Sequence, residues 1–445
     1  MRVAVVGCGA AGLAATKELS QAGLDVTCFE KADRIGGIWA FENSAGLSPC
    51  YRTLHLNTSR ARTEYRDYPM PADWPDFPSH WHIHRYFEDY VDAHGFRDRI
   101  RFETGVELVR REAGGWSIEL STGETESFDA LIVANGHNWH PRMPDPPYPG
   151  EFAGEQIHAH DFRDNESFAG RRVMIVGMGN SAMDIAVESS WVAERTFLSV
   201  RSGSHVVPKY LFGKPADQIT SPLMTRLPWQ LRQPLSHLLL RLAVGRVSRY
   251  GLPRPEHGLL QDHPTISDTI LHRLTHGEVE PKPAIERFDG ESVHFADDSS
   301  ERVDTIVWAT GYRVEIPFLD LALLSHPADE LPLYKRVFSL EHPDLFFVGL
   351  VQSTGSAIPI VEQQAKIVAA QLCGSYALPS AAEQRRDCER ALVRAVRRYG
   401  EHKRPAMRID FDGYMREIAR ERRQGERRAL ARAGSRPVAE TAVPA

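Results

Sequence analysis

Two glycine-rich turns lie 170 residues apart, each closing a short apolar run and opening a helical one, and they constrain this chain more than any other feature. The first is Gly7-Cys8-Gly9-Ala10-Ala11-Gly12 and the second is Gly177-Met178-Gly179-Asn180-Ser181-Ala182. Residues 2–6 and 172–176 are apolar runs of strand length, and residues 11–22 and 181–190 carry apolar side chains at helical spacing. In such a strand–turn–helix unit the first glycine makes the tight turn and the second lets backbone approach a pyrophosphate. The third lets helix and strand pack closely, and Ala182 is an allowed substitute for it. The N–H groups at the helix start then face the phosphates. Gly7, Gly9, Ala11 and Gly12 would border one pyrophosphate; Gly177, Gly179, Asn180, Ser181 and Ala182 would border another, with Asn180 and Ser181 also suited to cap the helix.

The strand after each turn says which nucleotide it takes. Residues 26–30 end in Glu30, 23 residues after Gly7. A carboxylate there accepts hydrogen bonds from a ribose diol and repels a 2′-phosphate, which fits FAD or NAD. Residues 195–200 end instead at Arg201-Ser202, with Arg201 24 residues after Gly177. A guanidinium matches a 2′-phosphate in bidentate fashion. The first turn is therefore assigned to FAD and the second to NADP(H). A chain that holds both can deliver a nicotinamide to a flavin.

Composition excludes several other classes. A net charge of −6 is not that of a nucleic-acid binder, and the arginine-rich stretch 382–432 interleaves Asp and Glu as a solvated helical face does. Five cysteines (Cys8, Cys28, Cys50, Cys373 and Cys388) form no C-x-x-C pair, so neither a disulfide scaffold nor a metal site is expected. The start of the chain runs straight into a strand and a glycine turn rather than a signal peptide, and no apolar run is long enough to span a bilayer. A cytoplasmic protein is expected. Residues 238–247 are amphipathic with arginines, a pattern of a packed helix more than of a membrane-surface one.

Along the chain, the proline- and aromatic-rich stretch 65–81 disfavours regular structure, and residues 84–94 look helical. Residues 107–111, 116–120 and 126–128 read as hairpin strands. Residues 129–134 form an apolar strand ending in Ala134-Asn135-Gly136-His137, and 141–149 carry five prolines, as a linker does. The late strand 304–309 ends in Ala309-Thr310-Gly311-Tyr312, echoing that earlier turn. A further strand, 345–349, needs a sheet, and the economical solution returns it to the first domain. Pro359 would open the following helix at its first position, with its positive end toward the flavin. The expected fold is α/β, with two Rossmann-like dinucleotide-binding domains and the NADP domain inserted in a split FAD domain. The expected boundaries are 1–164 for the first FAD segment and 165–325 for the NADP domain, with a helical insertion at about 210–268. The second FAD segment and C-terminal helices follow at 326–433, and then a disordered tail at 434–445.

These motifs in order resemble the flavin-containing monooxygenases, the class B flavoproteins that hold FAD and NADPH in one polypeptide. The likeness covers most of residues 1–375. It includes Glu30-Lys31, Gly36-Gly37-Ile38-Trp39, Asn57 in Leu56-Asn57-Thr58-Ser59-Arg60, and Ala309-Thr310-Gly311-Tyr312. Most specific is the segment from Phe152 to Phe162, which looks like the family's F-x-G-x-x-x-H-x-x-x-aromatic motif with Phe152, Gly154, His158 and Phe162 in place. Baeyer–Villiger relatives usually end this motif in Trp-Pro or Trp-Asp. Phe162-Arg163 favours the nitrogen- and sulfur-oxygenating branch.

The resemblance implies that NADPH reduces FAD, that O2 is captured as a flavin C4a-hydroperoxide, and that one oxygen passes to a soft nitrogen or sulfur. The substrate would be a small amine, hydroxylamine or sulfide. The flavin supplies the hard chemistry and the protein positions it. Asn57 is the implied catalytic residue, an uncharged amide that can donate to the oxygenated flavin. Its alternative is an Asx turn. Gly36 and Gly37 would let backbone pass the flavin, with Ile38 and Trp39 beside it, and Gln352 could face the flavin or substrate. His55 is read as structural, and His158 as organising the domain junction. A ketone-directed Baeyer–Villiger enzyme is the alternative, and a flavin-dependent NADPH oxidase or reductase a further one. A disulfide reductase lacks its cysteine pair, and a flavin protein without activity stays open. No metal is expected; a homodimer is compatible with the sequence.

Overall fold

The computed structural model describes residues 1–219, 228–262, 264–401 and 404–434. Of the expected tail at 434–445, Gly434 ends the helix Phe411–Gly434 and the rest lies outside the described residues, as do residues 220–227 and 263 of the expected insertion.

Both glycine turns sit at the carboxyl end of a buried parallel strand. Arg2–Val6 pairs in parallel with Asp25–Phe29 on one side and Ala130–Val133 on the other. Such strands are covered on both faces, which is why their residues are nearly all apolar rather than alternating. Ile100–Arg101 extends the sheet at one edge. At the other, Leu345–Phe347 pairs with Ala130–Val133, so the last strand does return to the first sheet. Helices Ala10–Gln21 and Ile358–Leu372 cover one face, and the hairpin strands Val106–Glu112, Gly115–Leu120 and Thr125–Phe128 cover the other. Ile358 rather than Pro359 is the first residue of its helix, with Ala357 as the cap.

The second sheet has the order Glu280–Lys282, Arg195–Ser199, Arg172–Val176, Thr305–Trp308, Glu155–His158, all parallel. It corrects both expected boundaries. Glu155–His158 precedes residue 165 yet forms an edge strand of the second sheet. Ile316, Phe318 and Leu319 precede residue 325 yet are buried with Val109, Trp116 and Phe128 of the first domain. The chain thus crosses earlier in each direction than composition suggested.

Two elements differ from expectation for identifiable reasons. The helix expected at 84–94 begins at His80, because His80 and Ile83 continue the buried face of Phe87, Tyr90 and Val91 one turn earlier. The insertion is only partly helical. Its ends are two-residue strands, Val206–Val207 and Thr265–Ile266, paired in parallel; a hairpin Tyr210–Leu211/Lys214–Pro215 follows the first, and the helix Trp229–Val244 lies between. No helix among the described residues is long and apolar enough to cross a membrane.

Candidate active site

The first glycine turn is shaped for close backbone approach. Gly7 has φ +96°, and a Cβ there would lie 2.7 Å from the Ala134 carbonyl oxygen. A Cβ on Gly12 would fall on the Gly7 carbonyl, and Gly37 packs against Gly9, where a Cβ would come within 3.1 Å of the Gly9 Cα. The Gly36 N–H donates to the Cys8 carbonyl at 3.0 Å, which fastens the Gly36–Trp39 turn to the glycine turn. Gly9 caps the helix Ala10–Gln21 with no side-chain partner, leaving its first amides for an anion; Ala11 lies in that first turn. Glu30 is half-buried, and desolvation pushes its carboxyl up, while N–H groups hold it as an acceptor. Cys8 donates to it at 2.7 Å and Ala32 at 2.8 Å. Each oxygen keeps a further lone pair for a ribose hydroxyl. These residues fit the nucleotide half of FAD.

The second turn repeats the shape. Gly177 has φ +136°, and a Cβ there would lie 2.5 Å from the Ala309 carbonyl oxygen. Gly179 caps the helix Asn180–Ser189 without a side-chain bond, and Ala182 is fully buried. The Asn180 Oδ1 accepts the Ile266 N–H at 2.8 Å, and the Thr265 hydroxyl donates to the Met178 carbonyl at 2.5 Å. The insertion is therefore tied directly to the nucleotide turn, with Ser181 the next helix residue. Arg201 and Ser202 follow the strand Arg195–Ser199 and are exposed; Arg201 has no ion pair among the described residues.

Asn57 links the two halves. It follows the buried Leu56, whose N–H donates to the Pro78 carbonyl at 2.9 Å. With Thr58, Phe77, Thr354 and Ser356 of the first domain it lines a cavity of about 240 Å³. Val207, Lys209, Leu239, Leu240 and Ile266 of the insertion close the other side, and Phe411 and Asp412 come from the C-terminal helix. The wall is mostly apolar, as small-molecule sites usually are. Gln352 does not line it; its N–H donates to the Met407 carbonyl at 2.9 Å, in a strand pair with Arg408. Trp39 is half-buried against the first core and Ile38 is exposed at its edge. His55 turns its Nδ1 to the Thr53 carbonyl at 2.7 Å.

Sequence reading missed the groups that fasten the domains here. The Tyr51 hydroxyl donates to Asp184 at 2.5 Å, and burial pushes the Asp184 carboxyl up. Tyr51 also packs on Phe162, which stacks on Phe168. The Phe152–Phe162 motif thus ends in the contact between domains. Its Gly154 is required, because a Cβ would meet the Asp304 carbonyl at 2.5 Å. His158 is buried beside the Tyr312 ring and accepts the His160 N–H at 3.0 Å. No local pattern announces Tyr51 or Asp184.

His137, in the turn after Ala130–Val133, supplies a pH effect. Burial, with Arg404 nearby, lowers its pKa to about 4, against about 6.5 for an unfolded histidine. From pH ~6.5 down to ~4 the unfolded chain gains a proton that the folded chain refuses, so His137 costs stability as pH falls through that window. His137→Gln should therefore melt closer to its neutral-pH temperature at pH ~5 than the parent does. Parallel melting curves against pH check this; identical slopes would exclude it.

The comparisons with known proteins agree with the geometry. The family described as Flavin-binding monooxygenase-like matches residues 1–424. Flavin-containing monooxygenase 5 of Homo sapiens is 33% identical over 438 residues, covering 94% of this chain and 82% of that protein. Flavin-containing monooxygenase 3 of Rattus norvegicus is 32% identical over 445 residues with the same coverage. Among solved structures, the S-allyl-L-cysteine S-oxygenase from Allium sativum superposes with a TM-score of 0.70 at 26% identity, over 98% of this chain and 94% of its own. Closed cyclohexanone monooxygenase shares the fold, with a TM-score of 0.72 at 19% identity over 96% and 98%. With a glycine cradle at the end of each parallel sheet and the family match running over residues 1–424, the chain belongs to the flavin-binding monooxygenase-like family and is a flavin-dependent monooxygenase that uses FAD and NADPH.

Proposed function

We propose that this enzyme transfers one oxygen atom from O2 to a soft nitrogen or sulfur of a small, largely apolar molecule. The observation that carries the proposal is the cavity lined both by Asn57 and by the insertion of the second domain. FAD and NADPH supply the reducing equivalents and the oxygen activation when bound. The protein's own residues do the rest. Gly7, Gly9, Gly12 and Glu30 hold the flavin nucleotide; Gly177, Gly179, Asn180, Ser181 and Arg201 hold NADPH. Leu239, Leu240 and Ile266 exclude water from the cavity. Asn57 offers an amide N–H where negative charge develops on oxygen, without itself changing charge. No general base is needed, because an amine or sulfide already carries its lone pair.

Nitrogen or sulfur is favoured over a ketone by Phe162-Arg163, the ending of the inter-domain motif. The likeness to an S-oxygenase at 26% identity supports sulfur. Product analysis with a tertiary amine, a thioether and a cyclic ketone decides it. N-oxide or sulfoxide is expected, and ester formation alone would overturn the proposal.

Asn57→Ala tests the mechanism. It should keep its flavin and still consume NADPH and O2. Product formed per NADPH should fall about tenfold or more, with hydrogen peroxide making up the difference, as expected for loss of one donor to a developing oxyanion. Unchanged product yield would remove Asn57 from the chemistry.

A further inference from the structure

Among the described residues, one cation on the cavity wall makes no ion pair. Arg62 is matched by Asp412 at 3.0 Å, and Arg232 by Asp410 at 3.1 Å. Lys209 also lines the cavity, is only partly exposed, and makes no ion pair or side-chain hydrogen bond to any described residue. Its ammonium lies 5.2 Å from the centre of the Phe77 ring, a contact that orients a cation without neutralising it. The backbone fixes its place: the Lys209 N–H donates to Asp268 at 2.7 Å, and the Lys209 carbonyl accepts from Ala216 at 2.8 Å. Burial pushes its ammonium down, with the carboxylates of Asp184 and Asp268 opposing that. The remaining acid on the wall, Asp217, takes the Ser59 N–H at 2.7 Å on one oxygen, while its other oxygen is buried without a hydrogen-bond partner among the described residues.

A half-buried ammonium on a mostly apolar wall, influenced by Asp184 and Asp268 but ion-paired to no described residue, is stabilised by an anion in the cavity. On the proposed binding mode the dinucleotide does not bring one there. Its pyrophosphate belongs at the start of the helix Asn180–Ser189 and its 2′-phosphate at Arg201, and the nicotinamide end carries no phosphate. We infer that Lys209 is the anion-binding group of this cavity, so that the molecule oxygenated is an apolar sulfide or amine bearing a carboxylate. The inference rests on the oxygenase reading above and adds the charge of its substrate.

The test uses the full FAD-loaded chain and two probes that differ in charge and by one methyl group, (methylthio)acetate and its methyl ester. Binding is read from the perturbed visible spectrum of the flavin, independently of turnover. The parent should bind the acid about tenfold or more tighter than the ester, the usual worth of a charge-assisted hydrogen bond. Lys209→Met should bring the two within about twofold while Lys209→Arg keeps the preference, because only the charge is needed. The affinity for NADPH, measured by anaerobic flavin reduction, should not move in either variant. Equal binding of acid and ester by the parent, or binding of neither at millimolar concentration, would overturn the inference. So would a Lys209→Met variant that loses NADPH affinity and keeps the acid-to-ester ratio, which would place a cofactor phosphate at Lys209. If the acid binds as expected but is not oxygenated, the substrate-class proposal fails and the anion site stands.

Discussion

Gly12→Ala should purify with little or no flavin and melt far below the parent. Gly12 lies in the first turn of the helix Ala10–Gln21, directly over the Gly7 carbonyl, and the side chain of Val5 is 3.6 Å from where a Cβ would sit. The colliding atom is backbone, so no rotamer relieves it; the helix must lift from the strand. That helix also packs on Ile358–Leu372, and a Cβ on Gly349 would come within 3.0 Å of the Ala11 Cβ, so lifting it disturbs a second interface. Overpacking of a rigid core costs about 1–3 kcal/mol, and a clash with backbone belongs at or above the top of that range. The displaced helix also carries the amides that face the pyrophosphate away from their place. Gly23→Ala is the control. Gly23 has φ +76° with nothing within 4 Å of its Cβ position, so it should cost only the left-handed conformation, about 1 kcal/mol, and keep the flavin. The ratio of flavin to protein absorbance and the melting temperature read both variants. Equal flavin content in the two would show that the close approach at Gly12 is not what the cofactor needs.

What the sequence revealed was local, and what it hid was assembled from afar. The glycine turns were legible because turn, phosphate site and helix start occupy a dozen consecutive residues. The return of Leu345–Phe347 to the first sheet was legible because an all-apolar strand needs a sheet to join that is covered on both faces. The boundary near Glu155 was not. That strand sits at a sheet edge and reads Glu-Gln-Ile-His, too polar to be taken for part of a parallel sheet. The strands bounding the insertion are two residues each, too short for any periodicity, and they are fixed by Asn180 and Met178 rather than by their own pattern. The cavity draws Asn57, Lys209, Ile266, Ser356 and Phe411 from five separate segments. Asn57 was found through family likeness. Lys209 was not, because an isolated lysine between a valine-rich run and a tyrosine carries no signal until its place on the cavity wall, with no ion pair among the described residues, is visible in three dimensions.

Arg201→Ala should raise the KM for NADPH by about tenfold to a hundredfold while leaving that for NADH within about twofold, the range set by losing a charge-assisted, bidentate contact. The two nucleotide turns differ where this matters. Glu30 is half-buried and already accepts the Cys8 and Ala32 amides, so it presents a fixed carboxylate that a 2′-phosphate could not approach. Arg201 is exposed and has no ion pair among the described residues, so its guanidinium pays nothing to leave another partner. Exposure also means that salt screens the contact. The NADPH preference should therefore shrink as ionic strength rises in the parent and hardly change in the variant. Arg201→Lys should fall between the two, keeping the charge and losing the planar fork. A rise in KM that is equal for NADPH and NADH would mean that Arg201 supports the fold of the strand end rather than reading the phosphate, and Ser202 would then be the next residue to replace.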